Sequence, residues 1–382
     1  MQIRFTRRRL TRVALLTGFL ALAGTANAFA QVTPAAGVTP PDDTQSIKVG
    51  AVIFTDFNFQ KSPKITDVDG NTVSTSQFSS AMRTYINITG NISHIVNFRI
   101  TPDVARETGG GASLAGSWEY RIKYAFMQLN LDDWMTKGSW VRFGIQQTPW
   151  VDFEEGIYRY RFQGTVFSER EGTLSSSDAG VSMHYNFANN YGDTHFGIYN
   201  GETYNKAETN NEKAYQIRGS FRPFARGNMN LRGLRVHGFY DSDHYAMNDE
   251  RTRGIFSTTF EHKRANAGYD YLWVKDQTTA TATRVEAQGY SIWGTPFFKE
   301  KGNGFEALLR YDHYTPNQAP ATNNQARQRT ILGLSYWFPH PGGNATAALM
   351  LDYEQVVFSN FPVPPTSNAK QERIFVHGLI NF

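Results

Sequence analysis

The chain has 382 residues, of which 14% are aromatic and 19% charged, with 33 glycines, no cysteine and a mean hydropathy of −0.47. That balance is too polar for a bundle of membrane helices yet rich in residues that suit strands, and without cysteine there is no disulfide framework and no thiolate metal or catalytic site. The formal charge of +4 resides in residues 1–30: removing them takes away five arginines and no acid, which leaves −1 and no electrostatic footprint for nucleic acid.

Arg4, Arg7, Arg8, Arg9 and Arg12 precede an apolar run from Val13 to Gly24, then small residues at Ala26-Asn27-Ala28 or Ala28-Phe29-Ala30. This is the layout of a secretory signal peptide over residues 1–30, too short to span a membrane, with cleavage expected before Gln31. Thr6-Arg7-Arg8-Arg9-Leu10 loosely resembles a twin-arginine signal, but that route carries folded cargo, which a barrel bound for an outer membrane is not. Residues 31–46, proline-rich with Asp42 and Asp43, read as a flexible leader.

From Ile47 the pattern has period two: Ile47, Val49, Ala51, Ile53, Phe57 and Phe59 alternate with Lys48, Gly50, Asp56, Asn58 and Gln60. An apolar face against a polar one predicts a transmembrane strand with lipid outside and water inside. Met82, Thr84, Ile86 and Ile88 then oppose Arg83 and Asn87, a tight turn follows at Gly90-Asn91, and Val96, Phe98 and Ile100 oppose Asn97 and Arg99. After a Gly-rich loop around Gly109, Tyr120, Ile122, Tyr124 and Phe126 oppose Glu119, Arg121 and Lys123, and Val141, Phe143 and Ile145 oppose Arg142 and Gln146.

Pro149 ends this fifth strand by removing a ladder donor. A long segment of aromatics and paired charges follows, and alternation resumes near Asp178. Further strands are expected near 178–188, 192–200, 213–223, 231–243, 252–263, 265–275, 284–296, 304–315, 328–338, 345–358 and 370–382. Tyr269, Tyr271 and Trp273, or Tyr336 and Trp337, sit where an interfacial girdle places them. Val376, Gly378, Ile380 and Phe382 close the chain on an alternating strand with a terminal aromatic, which resembles the signal read by the barrel insertion machinery.

The expected fold is all-β: residues 47–382 form one transmembrane antiparallel β-barrel of about sixteen strands, with a long loop after the fifth folded into the lumen. Strand ends read from pattern are soft by a few residues, so fourteen or eighteen strands stay open. A soluble sandwich or β-helix would also alternate, but needs a shorter domain or a regular repeat.

If the loop folds inward it sets the narrowest part of a pore. Its candidates are Trp150, Asp152, Glu154, Glu155, Tyr158, Arg159 and Arg161, with Glu169, Arg170 and Glu171 beyond. Facing rows of opposite charge make a transverse field on a permeating solute; alternatively the charges pin the loop to the wall, and the two roles are compatible. Inward positions on the strands add Arg121, Lys123, Arg142, Arg218, Arg222 and Arg310 as pore wall, with Arg83, Arg99, Arg235 and Arg373, against Glu119, Asp270, Glu306, Asp312, Asp352 and Glu354. The wall leans basic and the loop acidic. Guanidinium groups match phosphate and carboxylate oxygens two at a time, so Arg218 and Arg222 with Arg121 and Lys123 could bind anions; each arginine could equally be held by a wall carboxylate.

The run VRFGIQQTPWVDFEE resembles the segment of strand, Gly, Gln, Thr-Pro and acid in the phosphate-selective porin O and P family, and GFEALLRYDHY at 304–314 resembles its strand of Gly, aromatic, Glu and Arg-Tyr. SDAGVSMHY, FGIYNGETY and ILGLSYWF add partial likeness. The resemblance implies a sixteen-stranded barrel, usually a homotrimer in outer-membrane lipid, passing small anionic or neutral solutes. Members that bind phosphate tightly carry lysines on the constriction loop, and here no lysine stands between Thr148 and Asp178. That departure favours a general or differently selective porin.

No G-x-S-x-G elbow, H-E-x-x-H pair or phosphate-cradling loop is present. His237 with His244, or His184 with His195, could meet across a barrel, but the ligand count is short for a metal. Asp67-Val68-Asp69-Gly70-Asn71 begins like a calcium loop without the closing Glu, which favours a polar turn, and Asp241, Asp243 and His244 read as an exposed loop tip. The expectation is a passive channel for small hydrophilic solutes, anions among them, with no cofactor and no enzymatic step. An outer-membrane barrel hydrolase and a plugged structural or adhesive barrel are the alternatives.

Overall fold

The computed structural model describes residues 43–78, 83–106, 116–208, 210–227, 230–244, 249–279, 281–339, 346–361 and 369–382. The expected signal peptide, most of the leader, Met82 and the Gly109 loop lie outside them. The strands are β1 (Ser46–Thr66), β2 (Thr72–Phe78), β3 (Arg83–Asn91), β4 (Val96–Arg106), β5 (Trp118–Asn130), β6 (Trp140–Gln147), β7 (Ser177–Asn186), β8 (Gly192–Tyr199), β9 (Ala214–Phe221), β10 (Leu234–Asp243), β11 (Arg251–His262), β12 (Ala265–Asp276), β13 (Val285–Pro296), β14 (Gly304–Thr315), β15 (Ala326–Trp337), β16 (Thr346–Ser359) and β17 (Lys370–Asn381). Between β6 and β7 the chain carries two short helices, α1 (Val151–Tyr158) and α2 (Phe167–Arg170).

From β3 onward each strand pairs antiparallel with the next, and β17 closes on β1, Val52 opposite Asn381 through Gln60 opposite Arg373. A closed ring removes the unpaired edges that hydrocarbon cannot solvate. The other side of β1 is shared: residues 46–54 pair with β3, and 57–66 pair with β2. β2 and β3 thus occupy one place in the ring, and the barrel has sixteen positions with one extra strand. The sequence pattern overlooked β2 because TVSTSQF is β-prone but lacks an apolar face.

Burial follows the alternation. Val49, Phe143, Ile217, Phe256, Leu332 and Leu351 are among the outward, exposed apolar side chains, whereas Asp270, Glu306, Asp312, Arg310 and Arg218 on the inner face are buried. The apolar surface faces lipid and the lumen is filled with polar groups, which inverts a soluble core.

Four local expectations change. The expected Gly90-Asn91 turn is strand, since Gly90 pairs with Ile47 and Phe98, and the chain turns over residues 92–95. Tyr124 and Phe126, expected toward lipid, point inward: Tyr124 lies opposite Thr101 and Ile122 opposite Pro102, so Lys123 is an extra, unopposed residue. This bulge flips the rest of β5 and puts Lys123 and Tyr124 side by side in the lumen. Trp337 also faces inward, buried against Tyr160 and Phe162, rather than joining a girdle. Asp241 and Asp243 are buried strand residues of β10 rather than a loop tip, and Asp243 pairs with Arg251 at 2.7 Å.

The hairpin ends at 92–95, 187–191 and 263–264 are short, with 222–233 the longest connection on that side, and most connections at the opposite end are longer, including the lumenal loop. By the rule for such barrels, the short side is periplasmic.

Candidate functional site: the lumenal loop and the basic wall

Residues 148–176 leave the barrel end of β6, descend through the lumen and return to β7, with Thr148 N–H bonding the carbonyl of Ser176 at 3.1 Å. Irregular backbone at membrane depth must find partners within the protein. The wall supplies them. Arg218 Nε donates to the carbonyl of Pro149 at 2.8 Å, Asn266 Nδ2 to that of Ile157 at 2.9 Å, Arg310 Nη1 to that of Thr165 at 2.9 Å, and Arg253 Nε to that of Thr173 at 2.9 Å.

Side chains add ion pairs along β14–β16. Arg159 Nη1 meets Glu306 Oε2 at 3.1 Å, Tyr160 Oη donates to the same oxygen at 2.9 Å, Arg170 Nη1 meets Glu354 Oε2 at 2.7 Å, and Glu171 lies between Arg327 and Arg329. The loop is held against the β9–β17 side of the barrel.

The seven loop candidates separate by what they touch. Trp150 is buried on Phe153, His237 and Phe239. Tyr158 is buried on Trp293 and lies beneath the Arg310 guanidinium. Glu154 is buried facing β12, beside the Asp270 carboxyl. Arg159 sits at the C-cap of α1 with a left-handed φ of 68° and lies 4.4 Å from the Trp337 ring centroid. Asp152 turns the other way and accepts a hydrogen bond from Tyr124 Oη of β5 at 2.7 Å. Glu155 and Arg161 pair at 2.6 Å, with Glu169 3.8 Å from the same guanidinium.

The six wall candidates divide likewise. Arg218 is committed to Asp193 and Pro149, and its guanidinium lies 3.7 Å from the Phe153 ring. Arg310 is held by Asp312 at 2.8 Å. Arg222 follows β9 and is buried, with its backbone N–H on Tyr191. Arg218 and Arg222 stand four ring positions from Arg121 and Lys123, so those four do not form one cluster.

The β3–β6 wall, which lies away from the β14–β16 anchors, is different. Arg83 and Arg121 share Asp103, at 3.3 and 3.1 Å. Arg99 bonds Thr101 and Asn87 and lies over Tyr124. Lys123 stands over Tyr85 and Tyr124, at 4.8 and 5.3 Å. Arg142 bonds Gln128 and Gln147 and stacks 3.7 Å from the Trp140 ring. Among the described residues, no carboxylate lies within ion-pair distance of Arg99, Lys123 or Arg142.

A family model for phosphate-selective porin O and P matches residues 53–299. The chain belongs to this porin family. Solved structures share its fold: an anion-selective porin from Comamonas acidovorans is 12% identical, with 89% of this chain and 100% of that one covered at a TM-score of 0.59. The outer membrane channel DcaP of Acinetobacter baumannii is 11% identical, with 91% and 100% covered at 0.54. A trimer form of OmpT from Vibrio cholerae is 11% identical, with 89% and 100% covered at 0.53. No curated protein matches by sequence. The porin is an outer-membrane channel for small solutes.

Sequence pattern alone missed Arg253 and Asn266 as partners of the porin's loop. Both are inward-facing polar residues on strands that alternate, the one signal that could have found them. His184 and His195, one of the two histidine pairs that could meet, stand directly across β7 and β8, but His184 Nε2 meets Asp193 at 3.1 Å and His195 Nε2 meets Ser182 at 3.1 Å. Asp67 accepts the N–H groups of Asp69 and Asn71, which makes that segment a polar turn. No group of three or more His, Asp or Glu among the described residues is arranged to hold a metal ion.

Proposed function

We propose that this porin passes small hydrophilic anions in preference to cations, by passive diffusion, with the constriction formed between the β3–β6 wall and the loop face carrying Asp152, Glu155, Arg161 and Glu169. The carrying observation is the trio Arg99, Lys123 and Arg142, three cations held on aromatic rings and amides with no carboxylate in ion-pair contact among the described residues. A cation neutralised by a carboxylate adds little field at a distance; these three project theirs into the lumen. Trp150, Glu154, Tyr158 and Arg159 then serve to seat the loop, and Arg218 and Arg310 to hold it. Because the loop brings no lysine to the passage, the preference is for anions broadly rather than for tightly bound phosphate.

The reading includes export by a signal peptide over residues 1–30, a mature barrel from 47 to 382 closing on Phe382, and a homotrimer, which the trimer form of the OmpT structure supports. It assigns no catalytic step. Ser220 meets His237 Nδ1 at 2.9 Å, but the other ring nitrogen meets Thr259 Oγ1 at 2.9 Å rather than an orienting carboxylate, and Ser182 and Ser220 are both buried.

The test is the reversal potential of the refolded mature protein in a planar bilayer under a salt gradient, for native protein and for Lys123→Gln with Arg142→Gln. Anion preference in the native channel that moves toward cations in the double variant supports the reading. Equal or cation-preferring native conductance overturns it, and so does a preference unchanged by the substitutions.

A further inference from the structure

The periplasmic ends of three neighbouring hairpins, residues 222–233, 263–264 and 297–303, carry Arg226, Arg232, Lys263, Arg264 and Lys299 toward the rim, and Glu300 is the one acid in those segments. Across the ring, Asp43 and Asp133 converge on His94, and Asp132 and Lys137 lie in the same turn between β5 and β6. The rim is therefore polarised, basic beneath β9–β14 and acidic on nearly the opposite side. Among the described residues no ion pair engages Arg226, Arg232, Arg264 or Lys299: Arg226 bonds the side-chain oxygen of Asn189, and Arg264 Nη1 donates to the carbonyls of Phe298 and Lys299 at 3.2 and 2.8 Å.

Immediately above this arc the outward strand ends carry rings. Phe221 is exposed and stacks with Tyr191 at 6.4 Å, Phe260 stacks with His262 at 5.8 Å, and Phe305 meets Tyr336 at 5.0 Å, with Phe298 exposed beside Lys299. Aromatic rings mark the level where hydrocarbon gives way to headgroups. Cations one step beyond that level stand at the depth of lipid phosphates.

We propose that the arc of Arg226, Arg232, Lys263, Arg264 and Lys299 binds anionic phospholipid headgroups of the inner leaflet, so that the barrel holds a selective lipid shell on its β9–β14 side. Charge complementarity and continuity with the lipid-facing belt identify the occupant. The site is independent of the channel's ion preference.

Native mass spectrometry of the folded full barrel, released from membranes of equal phosphatidylglycerol and phosphatidylcholine, tests this through the lipid retained. The expected result is roughly fivefold or greater enrichment of phosphatidylglycerol, lost when the five residues are all changed to Gln and kept when Lys61, Lys64, Arg106, Lys206 and Lys275 at the other rim are changed instead. Folding of each variant is checked by heat-modified gel mobility. Should the fivefold variant fail to fold, a salt series on the native protein replaces it: enrichment must fall as ionic strength rises. Equal retention of the two lipids, enrichment surviving the Gln substitutions, or enrichment unaffected by salt overturns the proposal.

Discussion

Arg159 shows how one side chain can hold a loop. Its guanidinium pairs with Glu306, which is fully buried, and its backbone takes the left-handed conformation that L-residues with side chains avoid. Arg159→Gly keeps that backbone at no steric cost but removes the cation paired with Glu306, leaving its buried carboxylate to Tyr160 Oη and the Gly302 N–H, a loss of at most about 3–5 kcal/mol for a broken buried pair. The expected outcome is a noisier, larger single-channel conductance, with Glu306→Gln giving a milder version. Quiet, native-sized openings in Arg159→Gly would show that the loop is held without it. Gly144 is the second such residue. Its φ is +121°, and a Cβ there would meet the Ala125 carbonyl oxygen at 2.3 Å on the neighbouring strand. Gly144→Ala should lower barrel stability by about 1–3 kcal/mol, read from urea unfolding in detergent; an unchanged midpoint would mean that β5 and β6 separate freely at this level.

At the scale of elements, the bulge in β5 and the turn after β3 matter most. The bulge turns an alternating strand into one that offers Lys123 and Tyr124 to the same lumen, and Tyr124 then reaches Asp152 on α1. The turn after β3 is a clasp: His94 Nδ1 meets Asp43 Oδ1 at 2.5 Å and His94 Nε2 meets Asp133 Oδ2 at 2.9 Å, fastening the start of the described chain and the turn after β5 to one ring. Hydrogen bonds to the two carboxylates, Asp43 first, raise the His94 pKa, and the His94 backbone N–H first, with its ring second, lowers that of Asp43. A raised folded value means that this stabilisation is complete below the ordinary imidazole pKa of about 6.5 and is lost as pH climbs through the raised one. Hydrogen-exchange protection of residues 91–95, corrected for intrinsic rates, should therefore fall with rising pH across that window in native protein. His94→Gln should flatten the profile, and a flat native profile would remove the clasp.

For the whole molecule, the governing fact is inversion: apolar side chains outside, charges and hydrogen bonds within. Leu332 lies midway along β15 on the outer face, half exposed. Leu332→Arg should cost about 2–4 kcal/mol in a bilayer, as a cation near the midplane does, and should be much milder in detergent solution. Refolding yield into vesicles against detergent reads the difference, and equal losses in both media would argue that Leu332 does not face lipid.

Much of this was legible before any coordinates. Period-two alternation is set locally, by which neighbouring side chains meet lipid and which meet water, so the strands from Ser177 to Asn381 stand within a few residues of where the pattern puts them. The inward arginines and the inserted loop after Pro149 belong to the same local signal. The tertiary structure alone decided the partners. Whether an inward arginine serves a solute or the loop depends on which strand lies across the lumen: Arg218 and Arg310 face the loop's carbonyls, while Arg99, Lys123 and Arg142 face no carboxylate in ion-pair reach among the described residues. One unopposed residue in β5 reversed the facing of Tyr124 and Phe126, and no alternation count could register it, because a bulge is defined by the strand opposite. The sequence thus determined the strands, the inserted loop and the charge of the lumen; closure of the ring determined which charges are held by the loop or by a wall carboxylate and which are not.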